Sequence, residues 1–172
     1  MERARLMAKT SAETRVGIGY DVHQLVDGAT LVLCGIKIPF HKSLAGHSDA
    51  DVALHALTDA LLGAIGIGDI GDHFPPTEKE WSGISSSTFV EFAVEAIKHK
   101  NARIINADLT LICEKPKISP FKEQMVKRVA GLLQVAPSQV NVKATTTEGL
   151  GSMGRKEGIA ANAIVSIEIP TS

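Results

Sequence analysis

Gly46-His47-Ser48-Asp49-Ala50-Asp51-Val52-Ala53-Leu54-His55 is the stretch from which the rest of the chain can be read. Ser48 followed three residues later by Asp51 is a capping-box pattern, so a helix is expected to begin here. Val52, Leu57, Leu61 and Leu62, set among alanines, supply its buried stripe up to Gly63. His55 then projects from a rigid place one turn beyond Asp51. Backbone N–H groups and the helix dipole at such a start suit a phosphate beside His47 and Ser48, although Ser48 as a plain cap is the simpler reading.

Upstream, Arg15-Val16-Gly17-Ile18-Gly19-Tyr20 alternates apolar residues with glycine, a strand whose small face lets another element pack closely. It runs into Asp21-Val22-His23, where Asp21 and His23 leave the same face. With His55 they make two imidazoles and a carboxylate, the ligand set of a catalytic zinc with an open fourth position. The pattern alone leaves the metal open, because an Asp-x-His beside a helical histidine also arises by chance. His41, His73 and His99 read as surface or loop histidines.

The 172 residues correspond to about one domain, and the net charge of −1 gives no reason to expect nucleic acid or an anionic membrane as partner. Cys34 and Cys113 sit in apolar strand-like runs and read as buried free thiols of a reducing compartment. No apolar run approaches the ~18 residues of a transmembrane helix. The charged N-terminus lacks the apolar stretch of a secretory signal, so a cytoplasmic protein is expected.

Residues 1–14 show no strand period and read as a flexible leader or linker ahead of a single domain over 15–170. Beyond the first strand, Asp27-Gly28 signals a turn, and 30–38 reads as a strand pair bent around Gly35. Residues 39–46 read as a loop, as does the glycine-punctuated stretch 66–76. Ser85, Ser86 and Ser87 offer caps for a second helix over 88–100. A strand over 103–113 follows, then a third helix to about 133 with Ser119 as N-cap and Pro120 at its first position. Strands over 140–145 and 159–169 complete the chain. Strands alternating with three long helices predict an α/β (α+β) two-layer sandwich, a mixed sheet with helices on one face. The bare face needs a partner, so an oligomer is expected.

Further groups carry phosphate chemistry. Lys143-Ala144-Thr145-Thr146-Thr147-Glu148 places hydroxyls, a lysine and a carboxylate at a strand exit, where a carboxylate can hold Mg²⁺ against phosphate oxygens. Three threonines in a strand also follow from β-propensity alone. Asp69 is suited to a sugar hydroxyl and Lys117 to a phosphate, and Arg155 with Lys156 either clamps phosphate or faces water. Together these segments describe a site for an anionic, phosphate-rich small molecule with one or two divalent metals.

In register from about residue 15 to 169, the chain resembles the 2-C-methyl-D-erythritol 2,4-cyclodiphosphate synthase family of the non-mevalonate isoprenoid pathway. The resemblance is carried by Gly-Tyr-Asp-Val-His at 19–23, Ala-Gly-His-Ser-Asp-Ala-Asp-Val-Ala-Leu-His at 45–55, Gly-Asp-Ile-Gly at 68–71, Lys-Ala-Thr-Thr-Thr-Glu at 143–148 and Gly-Arg at 154–155. It implies a homotrimer with sites at subunit interfaces and a cytidine diphosphate substrate cyclised with loss of CMP. It further implies Zn²⁺ on Asp21, His23 and His55, and a second metal, Mg²⁺ or Mn²⁺, on Glu148. His47 and Thr146 resemble the family's transition-state stabilisers. Substrate contacts are implied at Ser48, at Asp69, Ile70 and Gly71, and at Phe74, Thr77 and Glu78. For the nucleotide they are implied at Cys113, Pro116, Lys117, Ile118 and Ser119, with Thr145, Thr147, Ser152 and Arg155. Pro76 and Ser152 stand where the family often has an aspartate and an aromatic residue. In some bacteria such a domain is fused behind a cytidylyltransferase, which makes one a possible fusion or association partner.

Overall fold

The computed structural model describes residues 11–75 and 83–171. Its spine is β1 (Ala12–Asp27), a long strand whose alternate residues Gly17, Gly19, Asp21, His23 and Leu25 point inward. Next in the chain are a hairpin of β2 (Leu31–Leu33) and β3 (Ile36–Ile38), and the short β4 (Lys42–Leu44). Cys34 and Gly35, at φ 54° and 71°, make the two-residue hairpin turn that requires left-handed backbone at both positions. After them come β5 (Arg103–Ile112), β6 (Val140–Thr145) and β7 (Gly158–Pro170). The main sheet has the order β4-β1-β7-β5-β6. It is antiparallel throughout except for the parallel pair β5 and β6, whose connection carries a helix.

One face of this sheet is covered by α1 (Val52–Ala64), α3 (Ser87–His99) and α4 (Lys122–Leu133), as a two-layer α/β architecture requires. The inward residues Leu109, Leu111, Val142, Ala163 and Val165 meet Leu57, Leu61, Val90, Ala93, Met125 and Val129 in a single core. Helix α1 lies in its centre and is buried on nearly every side, which explains its apolar composition all round. It also lies unusually close to β1. A Cβ on Gly17 would fall 1.9 Å from the Ala60 carbonyl oxygen, and one on Gly19 1.9 Å from that of Ala56. Small residues on both elements therefore let helix backbone rest on strand backbone.

The described residues leave the other face bare. Val16, Ile18, Tyr20 and Val22 of β1, with Ile164 of β7, stand exposed on it, Ile18 at 69%. Toward β5 and β6 the same face turns polar: Asp108 accepts from Asn141 and Lys143, and Ser166 pairs with Asn106. Among the described residues no helix is long and apolar enough to cross a membrane.

Several expected boundaries move. Ala12, Glu13 and Thr14, assigned above to the leader, pair with Pro170, Ile169 and Glu168, since a long β7 offers them free ladder groups. The loop over 39–46 contains β4, held on β1 by Leu25 opposite Leu44. The glycine-rich stretch contains one helical turn, α2 (Ile70–His73), closed by a reciprocal Asp69–Asp72 capping box. Helix α1 begins at Val52, and its cap is Asp51 instead of Ser48. Ala50, at φ 56°, turns the chain left-handed and breaks the helix that a Ser48 cap would need. Ser119 opens a 3₁₀ turn (Ser119–Phe121) ahead of α4, without a capping bond.

The glycine contact yields a direct expectation. Gly19→Ala should lower stability by at least about 1–3 kcal/mol, because helix backbone must lift to admit the methyl group. Urea denaturation reads this as a lower midpoint, and an unchanged midpoint would contradict the packing.

Candidate functional site

Asp21, His23 and His55 come together at the end of the contact between β1 and α1, each partly buried. His23 Nε2 lies 2.8 Å and His55 Nδ1 3.1 Å from Asp21 Oδ2, and the two ring nitrogens lie 3.0 Å apart. Burial works to raise the Asp21 pKa, but the hydrogen bonds and charges of both imidazoles prevail and hold its carboxyl well below the usual range. For His23, burial works downward, and hydrogen bonds to Asp21 and to the Ala45 carbonyl prevail and raise it.

The chemistry of this donor set fits a divalent ion. Zinc bound at ~2.0–2.1 Å in tetrahedral geometry needs ligand atoms about 3.3 Å apart, so the three donors need open by only a few tenths of an ångström. Each histidine presents one nitrogen to the cluster while the other is engaged behind it, His23 Nδ1 by Ala45 and His55 Nε2 by the Ser48 and Ser86 hydroxyls.

His23 and His55 open into a cavity of about 240 Å³ that His47, Ser48, Ile70, Gly71, Phe74 and Phe89 also line. Asp51 caps α1 between Ser48 and His55 in the chain. Fully buried, it accepts from Ala53 and Leu54 of α1 and from Cys34 and Gly35 of the hairpin turn. Burial pushes its pKa up, while the backbone N–H groups favour the ionised form. Asp59, one turn along α1 from His55, accepts from Ile70 N at 2.9 Å and so fixes the 69–71 turn against the helix. The expected positions in this region are thus gathered in one place, with Asp69 capping α2 beside it. Thr77, Glu78 and Pro76 lie outside the described residues.

A second cavity, of about 250 Å³, is lined by Cys113 to Ser119 with Ala144, Thr145 and Thr146. It collects Cys113, Pro116, Lys117, Ile118, Ser119, Thr145 and Thr146, which the sequence places in two separate segments. Burial pushes the Cys113 thiol up to about 11, so it is protonated at neutral pH. Glu148, at φ 53°, accepts from the Thr146 hydroxyl at 3.1 Å. Thr147 and Glu148 stand beside this cavity, while Ser152 lies exposed on α5 (Gly151–Gly154). Arg155 pairs with Glu157. Arg155 lines a third, cationic cleft of about 550 Å³ with Lys42, Lys115 and Lys156.

The sequence reading missed Glu114, seen there only as part of a strand-breaking segment. Its Oε1 accepts from Thr147 N at 3.0 Å and Gly149 N at 3.3 Å, which shapes the turn that carries Glu148. Nothing local signals this bond, because its two ends are more than thirty residues apart.

The two cavities are not adjacent within one chain. Val22 stands opposite Ala160, Ala160 opposite Ile112, and Ile112 opposite Thr145. The metal-side strand and the threonine strand are therefore three strand spacings apart, about 14 Å.

The chain is similar to known proteins. The YgbB family matches residues 14–168. A bifunctional enzyme IspD/IspF of Chelativorans sp. (strain BNC1) is 54% identical over 160 residues, 93% of this chain and 39% of that protein. The chain thus spans about two-fifths of the length of such curated relatives. A solved 2C-methyl-D-erythritol-2,4-cyclodiphosphate synthase superposes with a TM-score of 0.81 at 38% identity, covering 88% of this chain and 98% of that one. IspF of Plasmodium falciparum, solved as a CDP complex, gives 0.80 at 36% identity, covering 92% and 97%.

Removing the Glu114 carboxylate tests its hold on the threonine turn. Glu114→Ala should speed amide exchange at Thr147 and Gly149 roughly 10-fold each, the value of about one hydrogen bond. Exchange measured by NMR that stays at the native rate would remove Glu114 from this role.

Proposed function

The chain belongs to the YgbB family, and on that premise we propose that it cyclises 4-diphosphocytidyl-2-C-methyl-D-erythritol 2-phosphate to 2-C-methyl-D-erythritol 2,4-cyclodiphosphate with release of CMP. The observation that carries this reading is the cavity in which His23 and His55, clustered with Asp21, meet His47, Ser48 and the 70–71 backbone. An oxygen of the 2-phosphate forms a bond to the β-phosphorus, the bond from that phosphorus to the bridging oxygen breaks, and CMP leaves with that oxygen. The attacking phosphate is already an anion, so no strong general base is needed. The barrier lies in bringing two anions together and holding them in line.

In this reading Asp21, His23 and His55 hold Zn²⁺, and Glu148 holds Mg²⁺ or Mn²⁺. The cations, when bound, supply positive charge that offsets the repulsion between phosphates. His47 and Thr146 donate to phosphate oxygens as charge shifts onto them. Ser48, Asp69, Ile70, Gly71 and Phe74 bind the erythritol phosphate end, together with Thr77 and Glu78. Cys113, Pro116, Lys117, Ile118, Ser119 and Thr145 receive the cytidine diphosphate end, flanked by Thr147, Ser152 and Arg155.

We further infer a homotrimer in which one subunit's metal cavity meets its neighbour's nucleotide cavity. The separation of the two within a chain supports this, as does the uncovered apolar face of Val16, Ile18, Tyr20, Val22 and Ile164. The two buried free thiols suit a cytoplasmic setting. A cytidylyltransferase, fused or associated, is the expected macromolecular partner, in line with the bifunctional relatives.

Phosphorus-31 NMR of the protein with the cytidyl substrate, Zn²⁺ and Mg²⁺ should show CMP and a cyclic diphosphate in equal amounts. An open-chain product would mark a phosphodiesterase instead. His55→Ala should abolish zinc binding and turnover, and Glu148→Ala should raise the Mg²⁺ concentration needed for activity. Ile18→Asp should dissociate the trimer in light-scattering measurements, and a trimer that persists would move the interface elsewhere.

A further inference from the structure

The hydroxyl of Ser86 does nothing for the helix that it opens. At the N-cap of α3 it makes no capping hydrogen bond, although Ser86 is fully buried. Its Oγ donates instead to Asp49 Oδ1 and lies 2.9 Å from His55 Nε2. We propose that Asp49 and Ser86 are positioning residues for the metal ligand His55, joined in a carboxylate–hydroxyl–imidazole relay that selects which ring nitrogen faces the ion. The proposal rests on the reading of Asp21, His23 and His55 as a divalent-metal site.

The direction of each bond follows from the geometry. His55 Nδ1 is the atom turned toward Asp21 and His23. A ligating ring nitrogen carries no proton, so the proton resides on Nε2 and needs an acceptor. Two hydroxyls lie near it, Ser48 Oγ at 3.1 Å and Ser86 Oγ at 2.9 Å. Ser48 lines the open cavity and accepts from Ala50 N, which leaves its proton for other partners. The Ser86 proton is committed to Asp49, so its lone pairs face the imidazole. Asp49 in turn is held by Asp51 N at 3.3 Å and Ser86 N at 3.1 Å, which fixes the far end of the relay. A carboxylate behind the hydroxyl makes it a stronger acceptor and the imidazole a better ligand.

The two metal-side histidines are thus oriented by different means. His23 leans on the Ala45 carbonyl, which no substitution removes. His55 depends on two side chains that reach it from separate segments, and only this histidine's support is open to mutation.

The test measures zinc affinity by chelator competition for the native protein, Ser86→Ala, Asp49→Asn and Ser86→Thr. The thermal midpoint of each metal-stripped protein is recorded in parallel. Ser86→Ala and Asp49→Asn should weaken zinc binding about 10- to 100-fold, and Ser86→Thr, which keeps the hydroxyl, should recover most of that loss. The stripped midpoints should not follow the affinities. A folded Ser86→Ala or Asp49→Asn protein that binds zinc within about twofold of native overturns the relay, since loss of such a partner ordinarily costs far more. So does a loss that tracks the stripped midpoints and that threonine leaves unrestored, which would show a merely structural role. If Ser86→Ala fails to fold, Asp49→Asn carries the test alone. Native protein that binds no zinc would instead sink the metal reading beneath the relay.

Discussion

Helix α1 rests on strand β1 through backbone, and the site depends on that contact. Gly17 and Gly19 leave no side chain between the strand and the Ala56 and Ala60 carbonyls of the helix. Asp21 and His23 are the next inward positions along the same strand, and His55 lies one residue before Ala56. The close approach therefore ends in the three donors. A larger residue in the glycine row would separate the helix from the strand and, with it, the histidine from its partners. Packing and chemistry share one constraint here, because the sheet's period of two sets the glycines, Asp21 and His23 in a single row.

Around this contact, the supporting bonds come from carboxylates that hold backbone. Asp51 ties the start of α1 to the β2–β3 turn, Asp59 ties α1 to the 69–71 turn, and Glu114 ties the end of β5 to the turn after β6. Asp59 so immobilises a turn that lines the cavity beside His55, and Glu114 the turn that follows the strand lining the other cavity. Loops so held need little ordering when a ligand arrives. The bare sheet face is the remaining conspicuous surface, apolar near β1 and polar near β5.

Much of this was legible in the chain. The three long helices and most strand segments along the chain followed from periodicity, the one-sided covering from the number of helices, and Asp21 with His23 from their spacing on a strand. Two of the errors share a cause. Ser48 and Ser86 both read as helix caps because a hydroxyl ahead of a helical pattern usually caps it. In the folded protein both hydroxyls turn to His55, and Asp51 takes the capping role at α1. The left-handed turn at Ala50, which moves the helix start, has no residue signature, since alanine rarely adopts it. The 12–14 boundary was lost because edge pairing with β7 compensates for a sequence with no strand period.

What the sequence determined by itself was local: which segments are helix or strand, which residues share a face, and which side chains have the chemistry of metal and phosphate. Those properties depend on residues a few positions apart, within one repeat of the backbone. Only the tertiary structure decided that Ser86 and Asp49 meet behind His55, that Glu114 shapes the threonine turn, and that the strands carrying His23 and Thr145 lie three strand spacings apart. Such contacts join residues tens of positions distant. Their distances are set by the order of strands in the sheet and by how closely a helix can approach it, which short-range spacing does not encode.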